Sequence, residues 1–244
     1  MEQIIVILSL FIAVILGGLI VTYLHATNKQ KFIKLMLSFS GGFLLSIAFI
    51  HFVPELYASS TKNIGIYILV GFLVQLTLEF FSGGIEHGHV HVHKGQKMPW
   101  GLFISLSIHS FLEGIPLGNQ YVAHQEELIH HHGDGNSLLF GILFHQLPVA
   151  VALMTLLMNT NVSKLKAWSI LIAFGIMTPL GLMLGLFSSS AAHFINFNMI
   201  LAIVVGMFLH ISTTIIFETS ENHKFNILKL TSILIGCVLA FLIH

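Results

Sequence analysis

Three short runs place groups that can hold a cation or exchange a proton inside stretches otherwise suited to lipid. HSFLEG carries His109 and Glu113 four residues apart, with Ser110 beside them. Side chains four apart share one helix face, so this imidazole and carboxylate can grip a divalent cation or share a proton. HQLP adds His145 and Gln146, and HFVPE adds His51 and Glu55, again four apart. An ionised side chain at mid-bilayer costs about 2.5–3.5 kcal/mol on insertion scales, which makes such residues functional candidates by default. The alternative, a hydrogen-bonded group that only packs helices, is weakest for His109 and Glu113. It is stronger for His145 and Gln146, neither of which need be charged, and strongest for His51 and Glu55, which can snorkel into water.

Proline marks the same places. Pro54, Pro116 and Pro148 follow His51, Glu113 and His145 by three residues each. A proline within a spanning helix leaves a carbonyl one turn back without its donor, and helices opened in this way line transporter binding sites. Further along, His210 is followed by Glu218, Glu221 and His223. Glu79 reads as a carboxylate reaching the headgroups from the inner end of its segment.

The elements that must position these groups follow from composition. Of 244 residues, 55% are hydrophobic and only 8% charged, against about a quarter charged in a soluble domain. Eight apolar segments stand out, near 4–24, 33–57, 64–82, 99–120, 137–158, 167–187, 197–217 and 227–243. Each suits one helical crossing of the roughly 30 Å hydrocarbon core, whereas a barrel would show short alternating strands. The expected class is an all-α polytopic membrane protein, a single transmembrane domain over residues 1–244 with eight transmembrane helices. Glycine pairs such as Gly17–Gly18 and Gly41–Gly42, and the spaced Gly181 and Gly185, suit close helix packing.

Orientation follows from lysine, which collects in cytoplasmic loops. Lys29, Lys31, Lys34, Lys94, Lys97, Lys164, Lys166, Lys224 and Lys229 fall in or beside the odd-numbered connections, and only Lys62 in an even one. Both termini are therefore expected outside. On that footing Glu113 and His145 lie at nearly equal depth, His51 and Glu55 form an entrance near the outer face, and His210 and Glu218 an exit at the inner one. The third connection, 83–98, is the histidine-rich cytoplasmic loop, with His87, His89, His91 and His93 alternating, which reads equally as weak metal collection or as a merely polar linker. The fourth carries His124, His130, His131 and His132 outside.

Several classes are excluded or disfavoured. All ten basic residues are lysine and ten acids offset them, leaving no basic surface for nucleic acid. Cys237 is the sole cysteine, so no thiolate centre or disulfide framework forms. Phosphate-loop, HExxH and Ser-His-Asp patterns are lacking. The N-terminal run lacks a basic region before it and reads as a retained span rather than a signal peptide. The partners expected are a divalent metal ion and the bilayer.

HSFLEG resembles the fourth-span motif of the ZIP (Zrt-like, Irt-like) family of metal transporters. HFVPE, HQLP, TPLG at Pro179 and GMFLHI at His210 are similar to that family's segments in the same order. The resemblance implies three plus two plus three helices, the outer triplets being inverted repeats, with metal held midway by His109, Glu113, His145 and Gln146 and with His51 on the pathway. It also implies import into the cytoplasm, often by a homodimer, with the plasma (inner) membrane as the expected location and no prosthetic group. Val149, Gln146 and Thr178 stand where many members have additional metal-binding side chains. One transported ion is expected, on His109, Glu113 and His145 with Ser110 and Gln146 assisting. Imidazole and carboxylate suit Zn(II), Fe(II) or Mn(II), and zinc is the first expectation. The rivals are a membrane oxidase or hydroxylase using the EHGHVHVH histidines, a cation-diffusion exporter, whose usual six spans and C-terminal domain do not match, and a metal sensor that transports nothing.

Overall fold

The computed structural model describes residues 2–23, 29–59, 61–82, 98–126, 137–191, 196–218 and 227–243. Its elements are all helical: α1 (Glu2–Tyr23), α2 (Lys29–Ile47), a π-helical segment (Ala48–Phe52), α3 (Val53–Ala58), α4 (Ile64–Ser82), α5 (Trp100–Glu126), α6 (Ser137–Asn159), α7 (Lys164–Ala191), α8 (Phe197–Glu218) and α9 (Ile227–Leu242). Among the described residues, seven helical stretches are long and apolar enough to cross a membrane, with α2, the π segment and α3 forming one of them. The eighth apolar segment folds as α9, whose 16 residues extend about 24 Å at 1.5 Å per residue. This is a polytopic, multi-pass membrane protein.

Among the described residues, the second span is the one whose regular pitch fails. Pro54 has no N–H to offer, and just before it the chain takes a wider turn in which Val53 N–H reaches back to Ala48 O. That five-residue step is the π geometry common beside functional groups. The span ends where Ser59 turns extended, its N–H shared between the carbonyls of Glu55 and Leu56.

Helices meet in seams that leave no room for side chains. A Cβ added at Gly71 of α4 would lie 1.8 Å from Ile203 O of α8, and one at Gly206 of α8 would lie 1.9 Å from Ile68 O. The α2–α9 seam repeats the arrangement, with Gly42 facing Ile233 O at 2.3 Å and Gly236 facing Phe39 O at 2.1 Å. Between α5 and α7 four glycines do the same, Gly114 and Gly118 against Gly181 and Gly185. Small residues of this kind let backbones approach where lipid offers no hydrophobic drive to association.

Two apolar cores stack along the bundle. One holds Leu37, Leu106, Val149, Phe174 and Ile211; the other holds Phe43, Leu117, Ile142, Leu182 and Phe208. On five helices the step from one core to the other spans a buried polar residue: Ser40 on α2, His109 and Glu113 on α5, His145 and Gln146 on α6, Thr178 on α7 and His210 on α8. The fold thus sets a polar layer between two greasy ones.

Candidate metal centre

The layer is organised around one helix face. On α5, His109 Nε2 lies 2.6 Å from Glu113 Oε1, and each side chain is 1% exposed. From α6, His145 sets its ring edge-on to that of His109, the centroids 5.7 Å apart and the planes at 81°. One ligand atom from each of His109, Glu113 and His145 lies within 4.8 Å of the other two.

Other helices fix which atoms face inward. His109 Nδ1 donates to Oε1 of Gln75 on α4 at 2.8 Å. His145 Nδ1 and Oγ of Ser40 on α2 are 3.2 Å apart. With both Nδ1 atoms engaged, Nε2 is the nitrogen each ring offers to the centre, the arrangement in which an outer partner sets tautomer and orientation. Gln146 Nε2 donates to Thr178 Oγ1 of α7 at 2.9 Å. Its Oε1 is buried without a hydrogen-bond partner among the described residues, and is the atom Gln146 has to offer. Ser110 is buried one residue along from His109.

Chemistry follows from the spacing. The His109–Glu113 contact sets an imidazole nitrogen and a carboxylate oxygen 2.6 Å apart within the buried layer. A tetrahedral zinc with bonds of about 2.0–2.1 Å separates its ligand atoms by about 3.3 Å. A tetrahedral ion held by both would need His109 Nε2 and Glu113 Oε1 to stand further apart than 2.6 Å. Two imidazoles, a carboxylate and an amide oxygen form a donor set suited to borderline divalent ions.

The remaining candidates fall elsewhere. His51 is half-buried in the π segment and Glu55 exposed on α3; neither belongs to the three-residue cluster. His210 is buried on α8, its Nδ1 3.3 Å from Glu79 Oε2 of α4 and its ring edge-on to Phe72 at 4.7 Å. Glu79 thus does not simply reach the headgroups as its sequence position suggested; burial of α4 against α8 draws it to an imidazole. Glu218 ends α8, but its side chain, together with His87, His89, His91 and His93, lies outside the described residues.

Gln75, Ser40 and Glu79 escaped sequence reasoning as members of these networks. A signal existed for two of them, since Gln75 and Glu79 are four apart in an apolar run, the same spacing that singled out His109 and Glu113.

Comparison with known proteins agrees with this architecture. The family profile described as "Zip: ZIP Zinc transporter" matches residues 83–244, more than half of the chain. A curated relative, "Zinc transporter ZIP1" of Plasmodium falciparum (isolate 3D7), is 24% identical over 298 aligned positions, which cover 88% of this chain and 80% of the relative. The chain belongs to the ZIP family of metal transporters.

Proposed function

We propose that this protein imports a divalent cation, zinc before iron or manganese, through the site formed by His109, Glu113 and His145, with Gln146 and Ser110 assisting. The observation that carries the reading is the convergence of three buried ligand atoms, within 4.8 Å of one another, from two helices. The relative's printed name supports zinc as cargo. A single ion fits the neutral Gln146–Thr178 hydrogen bond, which brings no further carboxylate to the centre.

The route inward is supported by α4. In the orientation with both termini outside, α4 runs toward the cytoplasm, and Glu79 lies four residues beyond Gln75, about 6 Å deeper. The His210–Glu79 pair then receives the ion on its way to Glu218 and the histidines of 83–98, while His51 and Glu55 stand at the entrance. The whole chain acts as one transport domain.

Helix pairing supports the three-plus-two-plus-three arrangement. Exchanging α1 with α7, α2 with α8, α4 with α9 and α5 with α6 converts the α2–α9 seam into α8–α4 and the α1–α6 contact into α7–α5. The seam glycines exchange with their helices: Gly42 with Gly206, and Gly236 with Gly71. An inverted repeat suits alternating access around a fixed central site.

The test is radiolabelled zinc uptake into proteoliposomes, with Glu113→Ala as the paired protein. Saturable uptake lost in the variant supports the assignment. Equal uptake by both sinks the site, and zinc binding without movement of zinc, iron or manganese turns the reading to a sensor.

A further inference from the structure

Most of α4 faces outward: Ile66, Leu69, Leu73, Leu76 and Phe80 are exposed. Of its described side chains only Ile64, Gly71 and Gln75 are buried. Gly71 is accounted for by the α8 seam and Ile64 by the apolar core. Gln75 is neither small nor apolar, yet it is fully buried and its Oε1 takes the Nδ1–H of His109. Burying an amide costs free energy unless hydrogen bonds satisfy it, so a group that served only to fill the gap would be better replaced by leucine.

We infer that Gln75 is a positioning residue for the cargo site: by accepting Nδ1–H it fixes the His109 tautomer and turns Nε2 toward Glu113 and His145. The inference rests on the proposed site and deepens it. A second link holds the same two helices one turn away, Ser105 Oγ donating to Leu78 O. The amide of Gln75 is therefore presented from a backbone already tied to α5. Ser40 offers an internal comparison. It meets His145 Nδ1 at the longer distance of 3.2 Å through a hydroxyl that can donate or accept, so it constrains the tautomer less.

Outer partners of metal-binding histidines typically contribute about 10–100-fold in affinity. Full-length Gln75→Leu is expected to raise the zinc KM by about that factor, with kcat and the melting temperature in detergent changing far less. Gln75→Glu, which keeps an oxygen acceptor at the same reach, is expected to recover KM to within about threefold of wild type. Ser40→Ala is expected to move KM less than Gln75→Leu. The absorption spectrum of protein loaded with Co(II) should change in Gln75→Leu and return toward the wild-type shape in Gln75→Glu.

A merely structural role gives a different pattern. Leucine would then fold and transport at least as well as glutamate, with KM unchanged and the Co(II) spectrum the same, and that result overturns the inference. Glu113→Ala, measured alongside, separates the two readings. If it still binds Co(II) as wild type does, the cargo site itself is misplaced; if it loses binding while the Gln75 variants match wild type, only the positioning role fails.

Discussion

The α4–α8 and α2–α9 seams are built alike and furnished differently. Each closes on one glycine per helix, set against a carbonyl of the partner. Four residues beyond the glycines, however, α4 and α8 carry Gln75 and His210, whereas α9 and α2 carry Ala240 and Ser46. Gln75 reaches His109, and His210 pairs with Glu79. Ala240 is buried in the apolar core. Backbone contact is thus a requirement of both seams, while polar function is concentrated on the side proposed to lead to the cytoplasm.

The largest effect should come from the shared feature. Gly206→Val and Gly236→Val each drive a branched side chain into a carbonyl, at 1.9 and 2.1 Å from the added Cβ. Overpacking costs about 1–3 kcal/mol, sometimes more, so both variants should melt well below wild type in detergent and by similar amounts. Destabilisation of only one would break the equivalence of the two seams.

Next in size is the response to acid. Protons and metal compete for the same imidazole lone pairs, so zinc binding should weaken as pH falls. From pH 7.5 to pH 5 the loss should be on the order of tenfold or more, measured by equilibrium binding to purified protein. Tighter binding at pH 5 would contradict a site built from His109 and His145. Since α9 contains neither histidine nor carboxylate, substitutions along α9 should leave the pH profile where it was.

Much of this contrast was legible in the sequence, and the remainder was hidden for physical reasons. Hydropathy marks where helices lie, and the four-residue spacing of His109 and Glu113 places them on one face. Counting residues also put Glu113 and His145 at similar depth, and the structure brings His109, Glu113 and His145 together. Counting along single helices does not reveal which helices touch, so the partners of His109 and His145 stayed hidden. Ser40 is neutral and carries no signal of its own until α2 is docked, and the spacing of Gln75 and Glu79 marks a shared face without saying which imidazole each one meets. Helix ends were blurred for a related reason: α5 runs on to Glu126 and α7 from Lys164 to Ala191, because polar residues extend a helix beyond its apolar window.

Smaller effects sharpen the contrast at the polar seam. His210→Ala and Glu79→Gln should each slow zinc uptake about fivefold, corresponding to roughly 1 kcal/mol of barrier, while zinc affinity at the central site changes by less than twofold. Ser46→Ala, at the matching place on α2, should leave uptake at the wild-type rate. Slowing by Ser46→Ala equal to that by His210→Ala would mean that both seams carry the ion's path.

Smallest of all is Ser232→Ala. It removes the hydrogen bond from Ser232 Oγ to Leu35 O across the α2–α9 seam, which contributes about 0.5–1.5 kcal/mol. A slight drop in melting temperature with unchanged uptake is expected. Any change in KM would assign that seam a role in handling cargo.

The wider turn before Pro54 bears on how the proposed entrance is aimed. An α-helix advances about 100° per residue, and the step from Val53 N–H to Ala48 O takes up one residue more than an ordinary turn. Everything after Phe52 is therefore rotated by about 100° relative to an unbroken continuation of α2. Ser40, on the inner stretch, keeps its heading toward His145, while the azimuth of Glu55 is set independently by the turn between them. Removing one residue from 48–52 would act as a rotation more than as a shortening: the stretch carrying Glu55 would swing around the helix axis while Ser40 and His145 kept their places.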